Sequence, residues 1–325
     1  MGGQSRTPHR HSILADYRPV VLAHMNKELE LFSPAKINLF LAITGLRADG
    51  FHELVSLVAP VGFGDTLRIA GLGVASSDDR LESNGQAGPL DEHNLVLRAA
   101  KLFRSEVPEA GFFAFQLHKR IPVGAGLGGG SSNAATALLG MNQLSGDPLD
   151  FEALVRLAAR LGSDCPLFLY GKPVIMRGRG ERIETLPVAA EKSLAGQSIL
   201  IFKPAFSIAT NWAYSELKRA KGSLYFSAAE IESSLASWLE RPALATLPLL
   251  NNMQSVSFKK FLALPVLLEQ LRSHFGLECL MSGSGSACFA ILPDDAPVSA
   301  IEQMIRDSWG QDAFVAQSKL GGTQK

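Results

Sequence analysis

The chain has 325 residues, 46% of them hydrophobic, which is enough to bury a large core and excludes a mainly disordered polypeptide. Lys plus Arg and Asp plus Glu both number 31, so the formal charge is zero and no basic stripe marks nucleic acid or an anionic membrane as the main partner. No apolar run reaches the roughly 18 residues that a membrane helix needs.

Residues 1–30 carry Arg6, Arg10 and Arg18 without the apolar stretch of a secretory signal. They read as a loose extension, with Met25 an alternative start, and Asp16, Glu28 and Glu30 weigh against a transit peptide. Leu31 to Leu46 is apolar and β-rich, and two further strand-like runs follow at 54–63 and 66–71. The polar stretch 73–92 reads as a loop. A helix is predicted from Asn94 to Phe103, a strand over 112–118, a second helix from Ser132 to Leu144 and a third over 150–161.

Gly162 stops that third helix, and Ser163, Asp164, Cys165 and Pro166 make a tight loop. A turn-rich stretch at 171–181 leads to strands at 182–188 and 199–202, then helices near 209–220, 227–239 and 256–275. A strand at 287–292, a helix at 297–308 and a strand at 312–317 complete the order. Strands and helices mix without strict alternation, which predicts an α+β fold rather than a doubly wound parallel sheet. The length and the change of pattern near 195 predict two domains, 31–195 and 196–325. Cys165, Cys279 and Cys288 show no metal or redox spacing, as expected of free thiols in a reducing cytoplasm.

The most informative segment is Pro122 to Asn133, with Gly124, Gly126, Gly128, Gly129 and Gly130 followed by Ser131 and Ser132. Glycines turn backbone N–H groups into an anion nest, and a helix beginning there adds its free N–H groups and dipole. A dinucleotide-binding turn should follow its strand directly, yet Lys119, Arg120, Ile121 and Pro122 intervene. A P-loop NTPase would need a Gly-Lys-Ser that this run lacks. The remaining reading is a phosphate cradle, with an unliganded glycine turn as the bland alternative. Ser282 to Ser286, with Gly283 and Gly285, is a second candidate nest or a plain turn.

Alternation sets Pro34, Lys36 and Asn38 on one strand face and Ala35, Ile37 and Leu39 on the other. The polar face lines a cleft or simply meets solvent. Asp164 is either a turn aspartate or a proton acceptor that pairs with Lys36. His52, after Phe51, could meet the edge of a base, although a surface histidine reads the same way locally.

Three blocks stand in order: Pro34-Ala35-Lys36-Ile37-Asn38, the glycine run with Ser131-Ser132-Asn133-Ala134-Ala135, and Gly283-Ser284-Gly285. This set resembles the GHMP kinases, from about Leu31 to the C-terminus. The resemblance implies a two-domain fold with the active site in the cleft between domains. It places ATP phosphates on Gly124, Gly126, Leu127, Gly128, Gly129, Gly130, Ser131 and Ser132, after Pro122, with adenine near Asn94, Leu95 and Lys119. Asp164 matches the family's catalytic base and Lys36 the lysine beside it.

Arg47-Ala48-Asp49-Gly50-Phe51-His52 and Gly162-Ser163-Asp164-Cys165-Pro166 are similar to the members that act on a cytidyl diphosphate sugar alcohol. For such a small-molecule substrate Asn38 borders the sugar alcohol, His52 meets the cytosine edge, and Tyr214 stacks on the base opposite Phe51, where the family often has Tyr. Thr210, Gly283 and Gly285 complete the implied substrate wall. No carboxylate pair marks a metal site, so Mg²⁺ is expected on ATP oxygens, water and Ser131 or Ser132. A monomer or weak homodimer is expected. The alternatives are a homoserine- or mevalonate-type kinase, a nucleotide-binding oxidoreductase, and an inactive relative that serves as a binding module.

Overall fold

A computed structural model of the chain describes residues 28–321 apart from 75, 86, 87 and 221. The extension over residues 1–30, with Met25, lies almost wholly outside the described residues. Two long strands, β1 (Glu28–Leu46) and β2 (His52–Gly73), form an antiparallel ribbon that organises the first sheet. The predicted break between strands at 63–66 is absent, because Gly64 and Asp65 stay in register with Pro34 and Ser33. The far half of β2 pairs with β4 (Phe112–His118), and the near half pairs with β5 (Val174–Gly178).

The first sheet has seven strands, with the path β3-β4-β2-β1-β8 and a branch from β2 through β5 to β6 (Arg182–Thr185). Two of its members correct the sequence reading. The polar segment 73–92 contains β3 (Arg80–Asn84), an edge strand with only alternate residues half-buried, so it carries no apolar signal. The turn-rich segment 171–181 contains β5, whose Val174, Ile175 and Met176 are buried. The short β8 (Leu250–Asn251), from the later part of the chain, pairs parallel with β1.

A second sheet of four antiparallel strands runs β11-β7-β10-β9, from β7 (Ser198–Lys203), β9 (Cys279–Met281), β10 (Cys288–Ile291) and β11 (Phe314–Lys319). Along β7, Ile199 and Ile201 join one apolar cluster while Leu200 and Phe202 join the other, as a strand covered on both faces requires. One cluster fills the space between the two sheets with α5 (Val188–Leu194) and α7 (Ala228–Glu240). The other lies under α1 (Leu95–Glu106), α2 (Gly129–Leu144), α3 (Phe151–Leu161) and, at the second sheet, α9 (Ala263–Phe275) and α10 (Val298–Trp309).

Several element boundaries differ from the sequence reading: α1 runs on to Glu106, and the strand predicted over 182–188 ends at Thr185, ahead of α5. The helix α2 begins at Gly129, three residues before the predicted Ser132, so the last glycines form its first turn. The predicted loop at 163–166 closes into the short helix α4 (Cys165–Leu169), where Pro166 suits a first helical turn that has no need of its N–H. The single helix predicted over 256–275 splits into α8 (Gln254–Lys260) and α9. Pro265 has no N–H for the Phe261 carbonyl, and the Phe261 ring instead stacks on Phe206 at 5.1 Å between centroids.

Candidate active site

The site begins with a change of face in β1. Ala35, Ile37 and Leu39 point to the inter-sheet core, and a bulge between Asn38 and Phe40 then sends Phe40 and Ala42 there instead. Lys36 and Asn38 therefore occupy the opposite face, on the wall of a cavity of about 990 Å³. Both are buried, which decides against the solvated-face reading. Lys36 Nζ donates to Asn38 Oδ1 at 2.6 Å and stands 3.8 Å from Asp164 Oδ2. Burial lowers the Lys36 pKa, and the charge of Asp164 opposes that shift. The Asn38 amide is held in turn by donation to Ser56 Oγ at 2.9 Å, and Ser56 Oγ donates to Phe40 O at 2.7 Å.

Asp164 sits between α3 and α4 at the start of the short helix, with half-exposed oxygens facing the cavity. The glycine run supplies the neighbouring wall: Pro122, Gly124, Gly126 and Leu127, then Gly128, Gly129, Gly130 and Ser131 at the head of α2. Among the described residues, no protein acceptor takes the backbone N–H groups of residues 124–131. The loop is drawn to β1 through Lys36 N–H, which donates to Leu127 O at 2.9 Å.

Two glycines here are required by contact as well as by conformation. A Cβ on Gly126, whose φ is +78°, would stand 2.3 Å from Ser282 O. A Cβ on Gly128, at φ +72°, would meet Phe168 Cζ at 2.8 Å and Lys36 Cγ at 3.0 Å. The close approach of the loop to the second glycine loop needs Gly126 bare, and its approach to Lys36 needs Gly128 bare.

Two sequence-predicted residues do not reach the cavity. Ser132 is fully buried, and its hydroxyl shares a hydrogen bond with Ser33 Oγ at 2.8 Å. Because α2 starts early, residue 132 has already rotated off the exposed first turn. Gly285 turns inward, where a Cβ would lie 2.6 Å from Met281 Sδ, while Gly283 does line the cavity.

Lys119 lines the cavity but is committed to Asp65, a fully buried carboxylate, and to Asn133 Oδ1 at 3.1 Å. Asp65 also accepts the N–H of Arg120 at 2.7 Å and of Ile121 at 2.8 Å, fixing the chain that enters the glycine run. Sequence reasoning missed Asp65, since it fell in the predicted gap between two strands. Asn94 and Leu95 stand at the head of α1 on the cavity wall, where Asn94 Oδ1 accepts Val96 N–H as the helix cap.

At the other end of the cavity stand Phe51, His52, Thr210 and Tyr214. Phe51 is 52% exposed. The His52 ring lies 5.1 Å from that of Tyr214 and 5.7 Å from that of Tyr225, and its Nε2 has no partner among the described residues. Burial, then the nearby charge of Lys218, lowers the His52 pKa, so the ring is neutral near pH 7. Thr210 shares a hydrogen bond with Ser284 Oγ at 2.8 Å, joining α6 (Thr210–Arg219) to the second glycine loop.

Asn251, also missed from sequence, holds that loop by donating to Met281 O at 2.7 Å and Gly283 O at 2.8 Å. Among the described residues, no group of three or more His, Cys, Asp or Glu side chains could hold a metal ion. Nor is any helix among them long and apolar enough to cross a membrane.

A glycine nest at a helix head, a lysine–carboxylate pair beside it and a second glycine loop across the cavity define a small-molecule kinase site. Residues 94–172 match the family model of the GHMP kinases N terminal domain, and residues 229–311 match that of the GHMP kinases C terminal. The chain belongs to the GHMP kinases.

More particularly, it is 40% identical over 269 residues to the 4-diphosphocytidyl-2-C-methyl-D-erythritol kinase of Methylacidiphilum infernorum, covering 82% of this chain and 87% of that one. A solved structure of 4-(cytidine 5'-diphospho)-2C-methyl-D-erythritol kinase matches with a TM-score of 0.70 at 32% identity, over 90% of this chain and 99% of that one. Homoserine kinase from Cytophaga hutchinsonii shares the fold, with a TM-score of 0.65 at 18% identity, over 93% of this chain and 97% of the other.

Proposed function

We propose that this chain transfers the γ-phosphoryl group of ATP to the 2-hydroxyl of 4-diphosphocytidyl-2-C-methyl-D-erythritol, giving the 2-phosphate and ADP, a step of non-mevalonate isoprenoid precursor synthesis in the cytoplasm. The observation that carries this reading is the order of groups along one cavity. Free backbone N–H groups stand at one end, Lys36 and Asp164 in the middle, and a neutral histidine between aromatic rings at the other. A neutral imidazole offers one donor and one acceptor, which suits the mixed edge of cytosine better than an imidazolium would.

In this reading residues 31–195 supply the nucleotide end and residues 196–325 the opposite wall. ATP phosphates rest on the N–H groups of residues 124–131, with adenine toward Asn94 and Leu95. The acceptor is a hindered tertiary alcohol, barely acidic in water. Asp164 takes the hydroxyl proton as the new O–P bond forms and the bond to the ADP oxygen breaks. Lys36, bonded to Asn38, sets its charge beside Asp164 and offsets charge on the attacking oxygen. Tyr214 and Phe51 flank the base while His52 meets its edge.

Mg²⁺ fits the oxygen chemistry of the site, with Asp164 and the Ser131 hydroxyl as the protein oxygens beside the loop. The scarcity of carboxylates leaves most of its coordination to the nucleotide. Bound there, it would offset phosphate charge.

ADP formation measured in parallel with the cytidyl diphosphate acceptor, homoserine and mevalonate tests the reading. Turnover with the first alone is expected. Preference for either of the other two would overturn the substrate assignment while leaving the kinase class intact.

A further inference from the structure

Four ammonium or guanidinium groups line the cavity: Lys36, Lys119, Arg179 and Lys218. Lys36 faces Asp164 and Lys119 is locked to Asp65. Arg179 and Lys218 have no carboxylate within 4.0 Å among the described residues, and the acids near them are already engaged. Asp49 and Glu181 pair with Arg47, at 3.0 and 3.5 Å. Glu216 pairs with Arg219.

Both free cations stand at the end of the cavity away from the glycine run, around Phe51 and His52. The Arg179 guanidinium lies 4.9 Å from the centre of the Phe51 ring. Lys218 is close enough for its charge to act on the His52 ring. The helix α6 accounts for its position, since Thr210, Tyr214 and Lys218 recur every four residues and so share the cavity face. Both side chains are exposed to water, and Arg179 also feels the more distant charge of Asp49. A nucleotide on residues 124–131 does not reach them, so an anion at the other end of the cavity would meet two cations not held in ion pairs.

We propose that Arg179 and Lys218 form an anion subsite that receives the diphosphate of the acceptor, a nucleoside diphosphate whose base lies against Phe51, His52 and Tyr214. The proposal rests on the substrate reading above and adds the groups that select the acceptor by charge. The two side chains enter from different elements, the turn after β5 and the helix α6, so they close on the diphosphate from both sides. Neither touches the reacting hydroxyl in this reading. Their loss therefore weakens acceptor binding and spares the chemical step.

Calorimetric titration with cytidine and with CDP, on the full chain and on Arg179→Gln, Lys218→Gln and the double variant, tests this. The unaltered chain should bind CDP about tenfold or more tightly than cytidine, the size of one charge-assisted hydrogen bond. The double variant should bind both alike, with ATP affinity unchanged as the control for folding, and Lys218→Arg should retain the preference. A preference for CDP that survives in the double variant, or no such preference in the unaltered chain, would overturn the subsite while leaving the cytidine site standing. Failure of the unaltered chain to bind either ligand would instead sink the substrate reading, and the subsite with it.

Discussion

The two ends of the cavity are built by different means. At the glycine-run end the unpaired groups are backbone N–H groups, freed by positive-φ glycines and a helix that starts among them. At the Phe51–His52 end they are side chains from β2, the turn after β5 and α6, converging from distant parts of the sequence. A backbone cradle takes any phosphate, whereas a set of side chains can choose among acceptors. Lys36 and Asp164 lie between, so in the proposed reading acceptor specificity can change at one end without disturbing the other.

The largest effect is expected at the support of the cradle. Lys119→Met leaves Asp65 buried without its cation, and stability should fall by about 3–5 kcal/mol in urea unfolding. A loss below about 1 kcal/mol, the range of an exposed pair, would show that this end is not braced by the buried charge.

Between the ends, Asp164→Asn should keep ATP affinity and lower turnover by about a hundredfold or more. Near-normal turnover would remove Asp164 from the role of base. At the acceptor end, Tyr214→Ala should raise the KM for the cytidyl substrate by the equivalent of ~1–2 kcal/mol, with the KM for ATP unmoved. Equal changes in both constants would erase the contrast between the ends.

The smallest effect concerns pH. The folded chain holds the His52 pKa below its ordinary range, chiefly by burial and then by Lys218, so the unfolded state binds that proton more readily. Between the folded and the ordinary pKa, stability therefore rises with pH, and the cost of protonating the ring is fully present below both. His52→Asn should flatten this part of the stability profile, below the ordinary histidine pKa, in chemical unfolding. An unchanged slope would place the ring in a more hydrated setting than its buried Nε2 indicates.

The contrast between the ends also explains what could be read from the sequence. Glycines and a helix start are local, so the cradle was legible from residues 122–133, and strand alternation placed Lys36 and Asn38 on one face. The error at Ser132 came from a shift of three residues in the start of α2, nearly a full turn, enough to rotate its hydroxyl onto Ser33. Asp65 and Asn251 were missed because their roles exist only in the fold. Asp65 is fully buried and caps a chain segment more than fifty positions away. Arg179 and Lys218 look like ordinary surface cations until the pairing of Arg47 and Arg219 with the nearby acids leaves them free. The β3 and β5 strands escaped because one is a polar edge and the other lies among turn residues.

The central claim is that phosphoryl transfer occurs between the two ends, onto the alcohol of a cytidyl diphosphate substrate. Phosphorus NMR of the reaction with ATP and that acceptor tests it most directly. The account predicts a new phosphomonoester signal growing with ADP while the acceptor's diphosphate signals persist, and no such signal with Asp164→Asn on the same timescale. Release of free inorganic phosphate without a phosphomonoester, or cleavage of the acceptor's diphosphate, would contradict it.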